Sequence, residues 1–384
     1  MAVMTPPDEL VVKKWRKRVW HDYQRDNLFA EYMGNSDAAV IHRVNELKDE
    51  GEEVVIPLMA LPKAGGVTGD QTLVGNEHDL KSYGWPLRID WWRDAIILNK
   101  KQMRRSVIDQ MEEVRPSLTQ IAANRLRDDI IRALHNVGGT GLNLGATPGD
   151  NFNANVNGVY YPNATTGQKN TWHTANRLRI QYGAVNSNYV VNDHAASLLN
   201  IDNTADKLSY GTLLMMKRRA KNTVPKIHPI RIEGGREYFI VFAGSRAFRD
   251  FSNDPDVKQL NRDARTRGVD SNPLFQDGDL ILNGVIVREI PEMDELALIA
   301  GAGAGAIDVA PVFLVGRQAL GYAVGQLPKP TERKEDDYGF VMGRGIETCY
   351  GIGKTQFLNR NLPAETVPID WGVYTAYVAA VGDA

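Results

Sequence analysis

The sequence contains a single cysteine, Cys349, among its 384 residues. One cysteine excludes an intramolecular disulfide framework, so the chain fits a protein made in a reducing cytoplasm. No histidine stands near Cys349 in the sequence to activate its thiol. We therefore interpret Cys349 as a small buried hydrophobic residue rather than as a nucleophile.

Long hydrophobic runs are also missing. Nowhere do roughly eighteen apolar residues follow one another, and the N-terminus has no apolar core of the length found in signal peptides. The sequence therefore predicts neither export nor a membrane partner. The net charge of only -2 and the 43% share of hydrophobic residues favour a folded protein that buries a sizeable core in two or three domains.

Motifs for catalysis are missing as well. The seven histidines never stand three or four residues apart, the helical spacing of many zinc ligands. Residues 353–355, Gly-Lys-Thr, match the end of a phosphate-binding loop, but Thr348 occupies the place of its first glycine, and no strand-to-helix context surrounds it. Residues 244–246 lack the frame of a nucleophile elbow. The sequence predicts no enzyme, no cofactor and no metal.

Residues 101–137 have the periodicity of a long amphipathic helix. Apolar residues recur mostly every three or four positions: Met103, Val107, Met111, Val114, Leu118, Ile121, Ile130, Leu134 and Val137. At about 1.5 Å per residue, one helix here would be a spine roughly 55 Å long. Pro116 predicts a bend or break near residues 112–116, and two ordinary core helices are the alternative.

Two predicted strands flank a glycine-punctuated excursion. The first contains Val54, Val55, Ile56, Leu58, Met59 and Leu61, and in the second Leu87, Ile89 and Trp91 alternate with charged residues. Residues 63–84 between them contain five glycines and no helical periodicity. Long unstructured connections are uncommon inside a compact domain, and an isolated two-stranded ribbon is only marginally stable in water. We therefore expect this hairpin to gain its missing contacts from another subunit.

Other segments give local predictions. Residues 13–18 are a basic cluster around Trp15, which either contacts nucleic acid or an acidic neighbour or is a solvated helix face. Residues 138–171 are rich in Gly and Asn and predict a surface insertion. We further expect a strand at 189–191, helices at 193–199 and 208–220, hairpins around 234–235 and 283–284, a flexible loop at 301–306, and strands at 340–357 and 371–378.

Short motifs resemble those of the tailed-phage major capsid proteins, appear in that family's order and cover most of the chain from about residue 70 to 357. They are Gly75-Asn76-Glu77 through Leu80, Arg88-Ile89-Asp90 with Arg93, Asn272-Pro273-Leu274-Phe275 leading to Asn283-Gly284-Val285, Val315-Gly316-Arg317-Gln318-Ala319-Leu320, and Asp336-Asp337-Tyr338-Gly339 with residues 351–354 and Phe357.

The resemblance implies an α+β fold, the Hong Kong 97-type capsid fold. Mapped onto this chain, it gives an N-terminal arm (1–50), an extended hairpin loop (51–100), a peripheral domain with the spine helix and the 138–171 insertion (101–225), an axial domain (226–325), and return strands with a C-terminal strand (326–384). The implied function is structural: many copies form pentamers and hexamers of an icosahedral head that encloses double-stranded DNA.

The resemblance also implies partners: further copies of the chain, a portal, a scaffold or cement protein, and packaged DNA contacted without sequence specificity. The expected location is the virion capsid, after assembly in the host cytoplasm. The residues that we expect to contact neighbouring copies are Leu58, Met59, Leu61, Leu87, Ile89, Trp91 and Trp15. The alternatives are a DNA-binding protein that uses residues 11–19 and a nucleotide-dependent phage protein that uses Lys354.

Overall fold

The computed structural model describes most of the chain. The described residues are 28–47, 51–60, 66–77, 81–106, 110–138, 155–232, 236–265, 275–276, 279–333, 338, 340–358 and 367–383. Leu61, Trp15, the basic cluster at 13–18 and the glycine turn at 234–235 lie outside them.

Strands and helices both contribute to the described part. The strands are β1 Met33–Gly34, β2 Ile41–Val44, β3 Glu53–Ala60, β4 Lys81–Arg88, β5 Asp90–Asn99, β6 Val156–Asn157, β7 Ile180–Tyr182, β8 Ile230–Ile232, β9 Arg236–Ala243, β10 Phe275–Gln276, β11 Asp279–Leu282, β12 Val285–Glu289, β13 Val309–Val315, β14 Leu320–Arg333, β15 Val341–Lys354, β16 Gln356–Phe357, β17 Ile369–Asp370 and β18 Val373–Ala379. The α-helices are α1 Lys100–Arg105, α2 Gln110–Leu134, α3 Thr166–Ala175, α4 His194–Leu199, α5 Tyr210–Asn222, α6 Ser245–Asn253, α7 Pro255–Arg265 and α8 Glu292–Leu296. Short 3-10 helices lie at Leu28–Tyr32, Tyr161–Asn163, Asn186–Asn188 and Ala304–Ala306.

The predicted spine is two helices rather than one. The backbone leaves helical geometry at Ser106, and α2 then runs for 25 residues, or roughly 37 Å. Pro116 lies inside α2, so the helix does not end where the proline predicted. Burial of Val114, Leu118 and Ile130 explains this, because packing of an apolar face outweighs the one hydrogen bond that a proline removes.

An eight-stranded sheet forms the larger body. Its strand order is β10-β11-β12-β9-β13-β18-β7, with β8 paired to β9. Neighbouring residues along β9 enter different cores: Phe242 packs towards α2, whereas Val241 packs towards α5 and α6. Both faces of this sheet are therefore covered, which explains why its central strands are continuously apolar in sequence.

A second sheet lies under α2. Its order is β1-β2-β14-β15-β5, with β6 paired to β15. Phe29, Val40 and Ile41 are buried in the same core as α2, so residues 28–47 of the predicted arm pack on the chain's own body. Among the described residues, no helix is both long enough and apolar enough to cross a membrane.

Several local predictions are confirmed. Asn283 and Gly284 both have positive φ, 48° and 70°, and join β11 to β12 with Leu282 opposite Val285. This is the conformation that makes Asn-Gly a strong hairpin signal. The helices predicted at 193–199 and 208–220 correspond to α4 and α5, the loop at 301–306 contains only a short 3-10 helix, and the predicted terminal strands correspond to β15, β16 and β18.

Other local predictions are wrong. Residues 189–191 form no strand. The second predicted strand of the hairpin divides at Ile89 into β4 and β5. Within the predicted surface insertion, residues 155–158 are buried and β6 pairs with β15 inside the protein. The predicted C-terminal strand, by contrast, is present as β18, which lies in the eight-stranded sheet between β13 and β7.

Candidate inter-subunit surface

The hairpin of β3 and β4 has one face against its own chain and one open face. The two strands pair along all eight residues of each. Because successive side chains of a strand point to opposite faces, Val54, Ile56 and Leu58 share one side. These three are half-buried in a cluster beside β14, whereas Val55 is 55% exposed and Met59 is 64% exposed on the other side. The open face is therefore apolar.

Two residues of β4 anchor the closed face. Trp85 and Leu87 are buried, at 2% and 0% exposure. The Trp85 ring passes so close to Gly321 of β14 that a Cβ there would lie 2.7 Å from it. A Cβ at Gly353 of β15 would lie 3.2 Å from the same ring. The glycines thus allow the hairpin root to sit directly on the six-stranded sheet.

Two asparagines hold the backbone where β4 becomes β5. The Asn157 amide accepts from the N–H of Arg88 at 3.0 Å and donates to its carbonyl at 2.9 Å. The Asn155 amide donates to the carbonyls of Asp90, at 2.7 Å, and Tyr350, at 2.8 Å. The hairpin therefore leaves the body from a fixed root.

The described part of the hairpin tip, residues 66–77, presents two adjacent apolar side chains. Leu73 is 60% exposed and Val74 is 78% exposed. A tight turn displays them, closed by a hydrogen bond from the N–H of Asn76 to the carbonyl of Leu73 at 3.0 Å. Open space surrounds the position of a Cβ at the three glycines of this segment, Gly66, Gly69 and Gly75. The tip therefore has few neighbours among the residues that the structure describes.

The edge strand β5 continues the exposed apolar surface. Trp91 is 53% exposed and Ile97 is 56% exposed, and their spacing places them on one face. Trp92, Ile96 and Leu98 lie on the other face and pack against α2. One face of β5 therefore packs in the core, and its other face exposes large apolar side chains.

A cavity of about 390 Å³ separates part of the hairpin from the body. It is largely apolar and is lined by Leu58, Met59, Tyr83, Thr223, Val224, Pro225, Lys226, His228, Leu358 and Trp371. Met59 and Leu58 thus border a recess that the described residues leave unfilled.

The residues expected to contact neighbouring copies have different environments. Met59 and Trp91 are exposed, and Leu58 borders the recess. Ile89 is half-buried, and its Cδ1 lies only 2.7 Å from the position of a Cβ at Gly325, whereas Leu87 is fully buried in its own chain. Leu87 therefore has no exposed area to offer in this structure, because the Trp85 side of β4 is the anchored side.

Sequence reasoning missed other exposed apolar residues. Val55, Leu73, Val74 and Ile97 were not among the expected contacts, yet each is at least half exposed. Strand geometry accounts for the exposure of Val55, since its neighbours Val54 and Ile56 face inwards in the structure. No comparable pattern marks Leu73 and Val74.

Lys354 belongs to a buried ion pair. Its ammonium lies 2.9 Å from Asp370 Oδ2 and donates to the carbonyl of Asn136 at 2.8 Å, with the Lys354 and Asp370 side chains only 2% and 1% exposed. Asp370 also accepts from Gln356, at 2.7 Å, and from the Trp172 indole, at 3.2 Å. Lys354 is therefore committed to structure rather than open to a nucleotide phosphate, which disfavours the nucleotide-dependent alternative.

Three histidines that are distant in sequence meet in the core with tyrosines. The Tyr182 hydroxyl lies 2.6 Å from Nδ1 of both His173 and His194, and the Tyr161 hydroxyl lies 2.8 Å from His194 Nε2. The His135 ring stacks on Tyr161 with centroids 4.4 Å apart. Sequence spacing alone gave no sign of this cluster.

Burial keeps these histidines uncharged. It lowers the pKa of His194 to about 3, and His173 and Lys169 add electrostatic repulsion. Burial also lowers the pKa of His135 well below its ordinary value, with Lys354 as the next contributor. Burial likewise lowers the pKa of His173. The cluster is built for neutral imidazoles.

The described residues contain no group of three or more His, Cys, Asp or Glu side chains placed to hold a metal. Cys349 is 6% exposed, and burial, with Asp90 adding to it, raises the pKa of its thiol. The interpretation of Cys349 as a small buried residue is confirmed.

Comparison with known proteins gives a consistent family. A family model described as phage capsid protein matches residues 4–382. The major capsid protein of Pseudomonas phage KPP25 is 28% identical over 373 residues, which is 95% of this chain and 94% of that protein.

Solved capsid structures have a similar fold. The capsid asymmetric unit of cyanophage Pam1 matches with a TM-score of 0.85 and 32% identity over 100% of both chains. The capsid of Ralstonia phage GP4 matches with a TM-score of 0.72 and 20% identity, over 100% of this chain and 99% of the other.

Proposed function

The chain belongs to the family of phage capsid proteins, and from this premise we propose that its open hairpin face, hairpin tip and outer β5 face meet neighbouring copies in the shell. The predicted α+β fold of the Hong Kong 97 type is confirmed. The function is that of a major capsid protein, many copies of which form the icosahedral head of a tailed phage.

Shell assembly requires each copy to carry two different patches that are complementary to each other. Rings arise from head-to-tail contacts, in which a patch on one copy meets a different patch on the next. A projecting hairpin suits this task because it carries apolar area beyond the body of its own subunit. The base of the hairpin is fixed on the six-stranded sheet, so a contact made by the hairpin also connects that sheet to the neighbouring copy.

The observation that carries the proposal is the division of the hairpin into an anchored face and an open apolar face. Trp85 and Leu87 are buried in the chain itself, whereas Val55, Met59 and Val74 are more than half exposed. Large exposed apolar areas on a soluble protein mark interaction surfaces. A partner subunit would remove this area from water.

We also propose the finer partners that the resemblance implies. These are a portal, a scaffold or cement protein, and packaged double-stranded DNA contacted without sequence specificity. Pentamers and hexamers are the expected capsomers, and the host cytoplasm is the expected place of assembly.

Electron microscopy and sedimentation of the purified full-length chain test the proposal. We expect closed particles or capsomers in equilibrium with them. A monomer that stays monomeric across concentrations and assembly conditions, with its hairpin protected from hydrogen exchange by its own body, would contradict it.

A further inference from the structure

The short helix α1, Lys100–Arg105, concentrates positive charge. Four of its six residues are cationic, none is acidic, and Lys100, Lys101, Arg104 and Arg105 are all exposed. The whole chain, by contrast, carries a net charge of only -2. The charge of α1 is therefore local to it.

The four cations share one face. At about 100° per residue, Lys100, Lys101, Arg104 and Arg105 fall within an arc of about 140°. Met103 lies on the opposite side and is half-buried. We call the four cations the α1 basic face.

Backbone contacts fix the orientation of this face. The Asn99 side chain caps the helix by accepting from the N–H of Gln102 at 2.8 Å. The N–H of Lys100 donates to the carbonyl of Phe340 at 3.0 Å, and the N–H of Ser106 donates to that of Gln102 at 3.1 Å. The cations thus project from a helix that is capped at both ends and tied at Lys100 to the backbone of Phe340.

No member of the α1 basic face forms an ion pair with a residue in the described ranges. The basic end of α5 is different: Lys221 lies 3.6 Å from Glu237, and Arg219 donates to Asn186 at 2.7 Å. Three of the four cations of α5, Lys217, Arg219 and Lys221, thus contact other parts of the fold, whereas the side chains of the α1 cations have no such contact among the described residues.

We propose that the α1 basic face binds the phosphate backbone of packaged double-stranded DNA without sequence preference, an inference that rests on the proposed capsid function. Four cations spread over about 7.5 Å of helix match a polyanion that carries a charge every ~1.7 Å along its axis. A specific protein interface would instead need an apolar centre, and the basic face contains none.

A salt series with a fluorescently labelled duplex of about 30 base pairs tests the proposal, because the slope of log K against log salt is about -0.9 per phosphate neutralised. The variant K100Q/K101Q/R104Q/R105Q should weaken binding and make the slope shallower by up to ~3.6. The matched control R218Q/K226Q/K258Q/R262Q removes four exposed cations from other elements and should change the slope much less.

Two further measurements keep the outcome decisive. Electron microscopy of each variant reports shell formation separately, so a failure of the capsid function is distinguished from a failure of DNA binding. The exchange K100R/K101R/R104K/R105K preserves charge and should retain the wild-type slope even if particles do not form. Equal slopes for the glutamine variant and its matched control would overturn the proposal. The α1 basic face would then be a candidate contact for an acidic protein surface instead.

Discussion

The side-chain amide of Asn157 pairs with the backbone of Arg88 through two hydrogen bonds: its Oδ1 accepts from the N–H of Arg88 at 3.0 Å, and its Nδ2 donates to the carbonyl of Arg88 at 2.9 Å. The side chain thereby replaces the strand partner that the backbone would otherwise need where β4 ends. Asn157 follows Arg88 by 69 residues, so this root of the hairpin exists only in the folded chain.

Asn157→Leu should loosen the hairpin root. The substitution leaves both backbone groups of Arg88 without their side-chain partner, which costs roughly 1–3 kcal/mol for each buried group that remains unsatisfied. We expect a lower free energy of unfolding in urea and faster hydrogen exchange in residues 81–90. Asn163→Leu, at an exposed position, is the matched control and should change the free energy by less than about 0.5 kcal/mol. Equal effects of both variants would argue that the Asn157 side chain does not hold the root of the hairpin.

Leu73→Asp/Val74→Asp should block particle formation without unfolding the subunit. Both side chains are exposed, so their replacement removes no core contact, but it would bury two carboxylates in a subunit contact. Sedimentation and electron microscopy should show capsomers or monomers in place of shells. Leu73→Met/Val74→Ile retains the apolar surface and should assemble. Normal shells from the aspartate variant would show that the hairpin tip is not part of the contact between subunits.

Trp91→Asp should also impair shell formation. Trp91 is 53% exposed on the outer face of β5, where a partner could cover its large apolar ring. The far-ultraviolet circular dichroism of the variant should stay close to that of the wild type, while particle yield falls. Trp91→Phe retains an aromatic surface and should assemble in higher yield. Wild-type yields from the aspartate variant would contradict this assignment.

Lys354→Met should destabilise the subunit strongly. It leaves the Asp370 carboxylate buried without its cation, and breaking such a pair costs about 3–5 kcal/mol. Lys354→Met/Asp370→Asn removes both charges and should recover part of that loss. Urea unfolding of the single and double variants measures the coupling. Additive losses in the double variant would show that the two side chains act independently.

Stability should fall on acidification between about pH 6.5 and pH 3. The pKa of His194 is about 3 in the folded chain and near 6.5 when unfolded, so the unfolded state binds more protons in that window. Stability therefore rises with pH there, by up to about 1.4 kcal/mol per pH unit for one such histidine. His135 and His173, whose pKa values are also lowered by burial, should steepen the dependence.

Thermal unfolding of the wild type and of His194→Gln across this range measures the histidine contribution. The variant lacks the ionisable ring, so its stability should depend less steeply on pH, whatever its stability at pH 7. A slope equal to that of the wild type would exclude His194 as a source of the acid sensitivity.

Local chemistry made several elements predictable. Asn283 and Gly284 adopt the positive φ that a tight hairpin needs, and Asn-Gly is the pair that adopts it at least cost. Helix α5 begins after Ser209, whose side chain caps it, and ends among cations that suit its dipole. Such features depend on neighbours within a few residues, so the sequence contains them.

The segment at 155–158 shows where local inference failed. Its Gly and Asn content predicts a surface insertion, yet these residues are buried. The hydrogen-bonding groups of an asparagine amide can be satisfied either by distant backbone groups or by water. Composition alone cannot distinguish a buried asparagine from an exposed one. The α1 basic face was not predicted, because residues 101–137 were interpreted as one long amphipathic helix.

By itself the sequence determined the existence of the strand β3, the turn at 283–284, the apolar face of α2 and, through its ordered motifs, the capsid family. Tertiary structure alone decided that Leu87 is anchored while Trp91 is exposed, that Asn157 holds the hairpin root, and that His135, His173 and His194 meet in the core. The reason is physical: periodicity and turn chemistry act within one element, whereas burial, hydrogen-bond partners and pKa depend on which distant elements the fold brings together.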